Sequence, residues 1–101
     1  IDHAYAVPSD GAGDLATPDG LQFAAELHHP ASGRTLSVAT DQPALQVYTA
    51  HGLGAPLAPQ AAACLETHRF PDAPNRPDLG STVLRHGEHY RSVTELTFGV
   101  R

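Results

Sequence analysis

Glu66 is the only charged residue in the run Ala61–Thr67, AAACLET. If the run is a strand, Glu66 shares a face with Ala62 and Cys64. A carboxylate among such neighbours loses hydration, which raises its pKa toward the range where it accepts a proton at neutral pH. The chemistry open to it is general-base proton abstraction. The competing role is structural, with the charge satisfied by hydrogen bonds or by an Arg, and Arg69 is placed to be that Arg.

Seven histidines raise the question of a metal, with His28-His29 and His86-x-x-His89 as the pairs to weigh. The first begins a predicted turn and the second flanks Gly87 at another. Neither has the helical i,i+4 presentation or the supporting carboxylate of a built metal site. Both read as solvated loop side chains, and no metal is expected. Cys64 reads as a small apolar filler, since nothing near it in sequence would hold a thiolate. Asp72 and Arg76 read as staples of a proline-rich loop.

The elements that must carry these residues are strands. Leu21, Phe23, Ala25 and Leu27 alternate with Gln22, Ala24 and Glu26, the period of a half-buried strand over Leu21–Leu27. His28–Gly33 has turn chemistry, and Arg34–Thr40 alternates again with Leu36 and Val38 on one face, so a hairpin is predicted. Ala44–Thr49 follows Asp41-Gln42-Pro43 as a strand with Leu45 and Val47 inward. Ala61–Thr67 is short enough to favour a strand over a helical turn. Two closing strands, Ser81–Leu84 and His89–Phe98, are expected, with Tyr90, Leu96 and Phe98 on one face. Loops fill Ala6–Gly20, His51–Gln60 and Phe70–Gly80, the last stiffened by Pro71, Pro74 and Pro77. No stretch carries a helical period. The pattern defines an all-β chain, an antiparallel β-sandwich or part of one.

At 101 residues the chain is one domain or a piece of one. A net charge of -5, with six Arg and no Lys, provides no basic patch for phosphates, so neither nucleic acid nor an anionic membrane is an expected partner. A small neutral ligand suits this surface better. No apolar run approaches the roughly 20 residues of a membrane span, and the lone Cys64 fits a reducing, cytoplasmic compartment. The start at Ile1-Asp2-His3, without Met, points to a chain that begins inside a longer reading frame. Strands cut from a larger sandwich would leave an exposed sheet edge, so self-association or association with the missing upstream part is expected there.

The segment CLETHRFPDAPN, Cys64–Asn75, resembles the motif of the aldose 1-epimerase (galactose mutarotase) family, in which Leu-Glu-Thr is followed by Phe-Pro-Asp-Ala-Pro-Asn. Three further segments are similar to that family in the same order: IDHAY, SGRTLSVATDQPALQVYTAHGL and STVLRHGEHYRSVTELTF. The likeness covers essentially the whole chain, residues 1–101, as the C-terminal portion of a galactose-mutarotase-like domain, one part of its β-supersandwich.

That resemblance implies interconversion of the α and β anomers of hexoses such as galactose and glucose. Glu66 takes the place of the general base, and Asp2 that of a carboxylate accepting hydrogen bonds from sugar hydroxyls. It implies no metal or redox cofactor, only an acid and a base on opposite sides of the ring. As a bare terminus, Asp2 would instead be solvated and frayed. The family's catalytic His lies upstream and has no counterpart here. His68 stands where the family often has Gln, and Ala50-His51 where a Gly-Asn pair is common, which makes His51 and His68 candidates to line the site. The alternative is a non-catalytic carbohydrate-binding or regulatory module of the same fold, and a structural relic held as an oligomer is a third reading.

Overall fold

In the computed structural model the chain is described over residues 1–8 and 19–101. Six strands run in the order β1 (Asp2–Ala6), β2 (Gln22–His29), β3 (Arg34–Thr40), β4 (Ala44–Tyr48), β5 (Cys64–His68) and β6 (Thr94–Val100). They form two three-stranded antiparallel sheets, ordered β1-β4-β5 and β2-β3-β6. The all-β antiparallel class expected from the alternation is what the described residues adopt.

The β2-β3 hairpin closes where the turn chemistry predicts. The N–H groups of Ser32 and Gly33 both donate to the His29 carbonyl, at 3.2 and 2.9 Å. Gly33 has φ +69, and a Cβ there would lie 2.3 Å from the Arg101 carbonyl oxygen, so both backbone conformation and space require glycine. A register shift between Phe23 and Ala25 corrects the expected single apolar row on β2. Phe23 pairs with Ala39, whereas Ala25 and Leu27 pair with Val38 and Leu36, so the bulge sends Phe23 to the other face.

Three other expectations change. Asp2–Ala6 forms a strand that alternation did not reveal, because β1 is exposed along its length and carries no inside-outside signal. Ser81–Leu84 is irregular: Val83 and Leu84 are exposed, and the Ser81 carbonyl accepts from the Arg69 guanidinium instead of a neighbouring strand. The closing strand starts at Thr94, not His89, since Tyr90 lies outside the ladder with its hydroxyl donating to Gln42 Oε1 at 3.3 Å. The proline-rich loop makes two 3-10 turns, Ala73–Asn75 and Pro77–Leu79, stapled by Asn75 Nδ2 on Asp72 and by a two-pronged Arg76–Asp78 pair. Much of the loop expected over Ala6–Gly20 lies outside the described residues, and Ala6 itself ends β1.

The two sheets are joined at the β3–β4 corner, where Val38, Ala39, Ala44 and Leu45 are buried together with Thr40 and Gln42. The Thr40 hydroxyl donates to the Val93 carbonyl at 2.9 Å and accepts from the Gln42 N–H at 3.1 Å. It also lies 3.2 Å from Thr94 Oγ1, which is 2.6 Å from Thr67 Oγ1 on β5. A hydroxyl has one proton, so the direction is fixed: Thr67 donates to Thr94, Thr94 to Thr40, and Thr40 to Val93. Asp41 completes the corner, with Oδ1 accepting from Gln42 Nε2 at 2.8 Å and from the Val93 N–H at 3.0 Å. The Gln42 bond, with help from Val93, holds the Asp41 carboxyl below the usual range.

Thr40→Val removes the buried relay and strands the Gln42 N–H, a loss of about 1–3 kcal/mol, measurable by urea denaturation. Because the Asp41 pKa is lowered on folding, its contribution is complete above about pH 4 and disappears as pH falls through the lowered value. Asp41→Asn should therefore flatten the melting temperature against pH between about 4 and 2, where the parent chain loses stability with acid.

Candidate active site

The central strand β4 organises the polar face of the β1-β4-β5 sheet. Its partners put Asp2 opposite Tyr48, Glu66 opposite Gln46, and His68 opposite Ala44. Residues directly opposite in an antiparallel pair share a face, so Asp2, Gln46, Tyr48, Cys64, Glu66 and His68 stand on one side. Leu45, Val47 and Leu65 point to the other side, and Leu45 is buried there. The same alternation that buries one row presents the other. Asp2, Gln46, Tyr48, Glu66 and His68, with Thr67 and with Arg69 and Pro71 from the following segment, line an open cleft.

Asp2 is not frayed. The Ile1 ammonium donates to Thr49 Oγ1 at 2.7 Å, and the Thr49 N–H donates to the Ile1 carbonyl at 2.9 Å, which fastens the start of β1 to the end of β4. Gln46 Nε2 then donates to Asp2 Oδ1 at 2.6 Å. One of roughly four lone-pair positions on the carboxylate is thus occupied, and the others remain to accept from a hydroxylated ligand. Asp2 and Glu66 belong to strands on either side of β4, about 10 Å apart at two strand spacings.

Glu66 is exposed, which corrects the expectation of a desolvated carboxylate. Its apolar neighbours in sequence do not surround it: Ala61–Ala63 are exposed residues ahead of β5, and β5 is an edge strand whose polar face is open. Arg69 does not pair with it either. The Arg69 guanidinium donates to the Ser81 carbonyl and lies 5.9 Å from the centre of the Tyr90 ring.

His68 shares the cleft with Glu66, and its Nδ1 bonds the Arg69 carbonyl. A carbonyl only accepts, so Nδ1 carries the proton, and in the neutral ring Nε2 is an acceptor. His51 sits at the rim, edge-on to Tyr48 with ring centres 5.1 Å apart. Tyr48 in turn accepts from the Gly52 N–H at 3.0 Å, and Ala50 takes a left-handed φ of 51 to start this turn. That conformation favours glycine, the residue the resembling family often has there. His28 and His29 end β2 instead of opening a turn, and among the described residues no group of three His, Cys, Asp or Glu is gathered as metal ligands would be.

Sequence reasoning thus named Asp2, Glu66 and His68, which the fold brings to one surface, and His51, which touches it through Tyr48. It missed Gln46 and Tyr48. The signal was available in the Leu-Gln-x-Tyr alternation of β4, but it becomes a site only once β4 is known to lie between β1 and β5.

The aldose 1-epimerase family model matches residues 1–97. Galactose mutarotase of Homo sapiens is 42% identical over 86 residues, covering 77% of this chain and 25% of the human protein. That of Rattus norvegicus is 40% identical over 87 residues, covering 78% and 25%. The chain belongs to the aldose 1-epimerase family, and it spans about a quarter of the length of the curated relatives it matches. No helix among the described residues is long and apolar enough to cross a membrane.

Tyr48→Phe removes the acceptor of the Gly52 N–H, a loss of about 0.5–1.5 kcal/mol. The expected result is faster hydrogen exchange at Gly52, with the amides of β4 unchanged.

Proposed function

We propose that this chain is the C-terminal portion of an aldose 1-epimerase that interconverts the α and β anomers of hexoses such as galactose and glucose. The observation that carries the reading is Glu66, borne by a family-specific segment and presented on the same sheet face as Asp2, with Gln46 between them. In this reading Glu66 removes the proton from the anomeric hydroxyl while an acid protonates the ring oxygen. The bond between C1 and the ring oxygen breaks toward oxygen, and the C1 carbonyl forms. Rotation about C1–C2 and reclosure on the other face, with the two proton transfers reversed, gives the other anomer. No electrons are exchanged with a cofactor. Asp2 accepts from sugar hydroxyls, and its bond from Gln46 fixes the carboxylate in advance.

The acid comes from the upstream part of the domain. A specific observation supports that assignment: the His68 Nδ1–H is committed to a backbone carbonyl, leaving Nε2 to accept in the neutral ring. The same observation supports the second reading, a carbohydrate-binding module that keeps the cleft without turnover.

Polarimetry of fresh α-D-galactose tests this. The chain alone should leave mutarotation at the buffer rate. Substituted for the matched quarter of human galactose mutarotase, it should accelerate the decay, and Glu66→Gln should then cost about 10²–10⁴-fold, the usual worth of a general base. Retained binding with no acceleration in the hybrid would establish the second reading, and acceleration unaffected by Glu66→Gln would remove Glu66 from the base role.

A further inference from the structure

The chain's sum of charges offers no basic patch, but the fold gathers a small one. Of the six arginines, Arg76 and Arg101 are taken up in ion pairs with Asp78 and Glu26. Arg69 and Arg91 are in no ion pair among the described residues, and they meet in one pocket of about 540 Å³, within the usual range for a small-molecule site. Glu88, His89 and Tyr90 line it with them. Arg69 also lines the cleft that holds Asp2, Gln46 and Glu66, so the two hollows share one guanidinium as a wall.

This guanidinium is held in place. Its bond to the Ser81 carbonyl uses one N–H and leaves the others. It lies 5.9 Å from the centre of the Tyr90 ring, and the Tyr90 hydroxyl donates to Gln42, which is buried and bonded to Asp41 and Thr40. The fixing thus runs back to the corner between the sheets. An arginine without a carboxylate partner, yet fixed, is a preorganised receptor for an oxyanion, because the side chain is ordered before a ligand arrives. Arg91 makes no hydrogen bond among the described residues and feels Asp41 only beyond ion-pair distance. That carboxylate already accepts from Gln42 and Val93.

Glu88 decides what must accompany the anion. Its Oε2 accepts from the Arg85 N–H at 2.7 Å, which ties it to the turn at Gly87. Its remaining lone pairs accept from hydroxyl donors, and its charge repels a bare anion. Two guanidinium groups beside one carboxylate match a molecule that carries both an oxyanion and hydroxyls.

We propose that this pocket is an oxyanion subsite beside the cleft, taking the carboxylate or phosphate of an acidic hexose whose ring reaches the cleft past Arg69. The inference rests on the cleft holding a sugar, as proposed above, but not on turnover. A purely structural role for Arg69, strapping residues 81–93, would explain the Ser81 bond but not an unpaired Arg91 in the same pocket.

The test is titration of the 101-residue chain, at fixed ionic strength, with D-galacturonate, D-galactose 6-phosphate, D-galactose and inorganic phosphate, read by NMR of the Arg Nε–H groups and the Gln46 side-chain amide. The acidic hexoses should bind roughly 10-fold or more tightly than galactose, the worth of a charge-assisted bond, and should shift Arg69, Arg91 and Gln46 together. A lead held by only one of the two acids identifies the group as carboxylate or phosphate. Arg91→Gln should cancel the lead, whereas Arg34→Gln, with the same loss of charge on the β2-β3-β6 sheet, should keep it. Arg69→Gln should cancel it too, and if that variant loosens residues 81–93 by hydrogen exchange, Arg91→Gln decides. Acidic hexoses no tighter than galactose, a lead lost equally in Arg34→Gln, or inorganic phosphate shifting Arg69 and Arg91 as strongly as the acidic hexoses would each overturn the subsite. Those results would leave the epimerase reading standing. The hybrid enzyme without mutarotation would count against that reading and not against the subsite.

Discussion

The Thr40 hydroxyl holds the two sheets in one arrangement. It uses its full capacity, one bond donated and two accepted, at a position with no solvent exposure. In that environment losing the bond from the Gln42 N–H leaves a buried donor without a partner. The relay ends on Thr67, the residue after Glu66, and Thr67 faces away from the polar row. The orientation of β5, and through it that of Glu66, is therefore set from behind by a corner more than twenty residues distant in sequence.

The front of the same sheet is set by Gln46. Its side chain fixes Asp2 on one neighbouring strand while its backbone sits opposite Glu66 on the other. The two carboxylates are kept apart by an uncharged amide, which spares them direct repulsion. Tyr48 extends the row and anchors the turn that carries His51. What the sheet offers is a preorganised line of acceptors, open above, with Arg69 drawn aside toward Ser81 and Tyr90 instead of pairing with Glu66.

The parts of this arrangement legible in the sequence are those decided locally. The β2-β3 hairpin follows from alternation and a glycine that tolerates φ +69, and β3 and β4 from strict two-residue periods bounded by Asp41-Gln42-Pro43. The parts that were not legible depend on partners. Strand β1 exists because β4 pairs with it, and its own residues are exposed throughout. Ser81–Leu84 has strand-like residues but no strand to meet. The surroundings of Glu66 could not be read from AAACLET, because burial belongs to the face above a strand and not to the residues beside it in the chain. The resemblance to aldose 1-epimerases supplied the proposed role of Asp2, which no pattern in its neighbours suggests.

The alternation within β4 has a further consequence. Leu45, buried, and Val47, half-buried, point to the interior side while Gln46 and Tyr48 face the cleft, so the two sets are interleaved one residue at a time. A single-residue insertion or deletion within the paired strand would exchange them, sending an amide and a phenol inward and two aliphatic chains toward the cleft. Length changes here can be accommodated only in even steps or in the loops outside the ladder. The grammar of this segment is therefore stricter than its vocabulary: many residues can be replaced in β4, but a single one cannot be added.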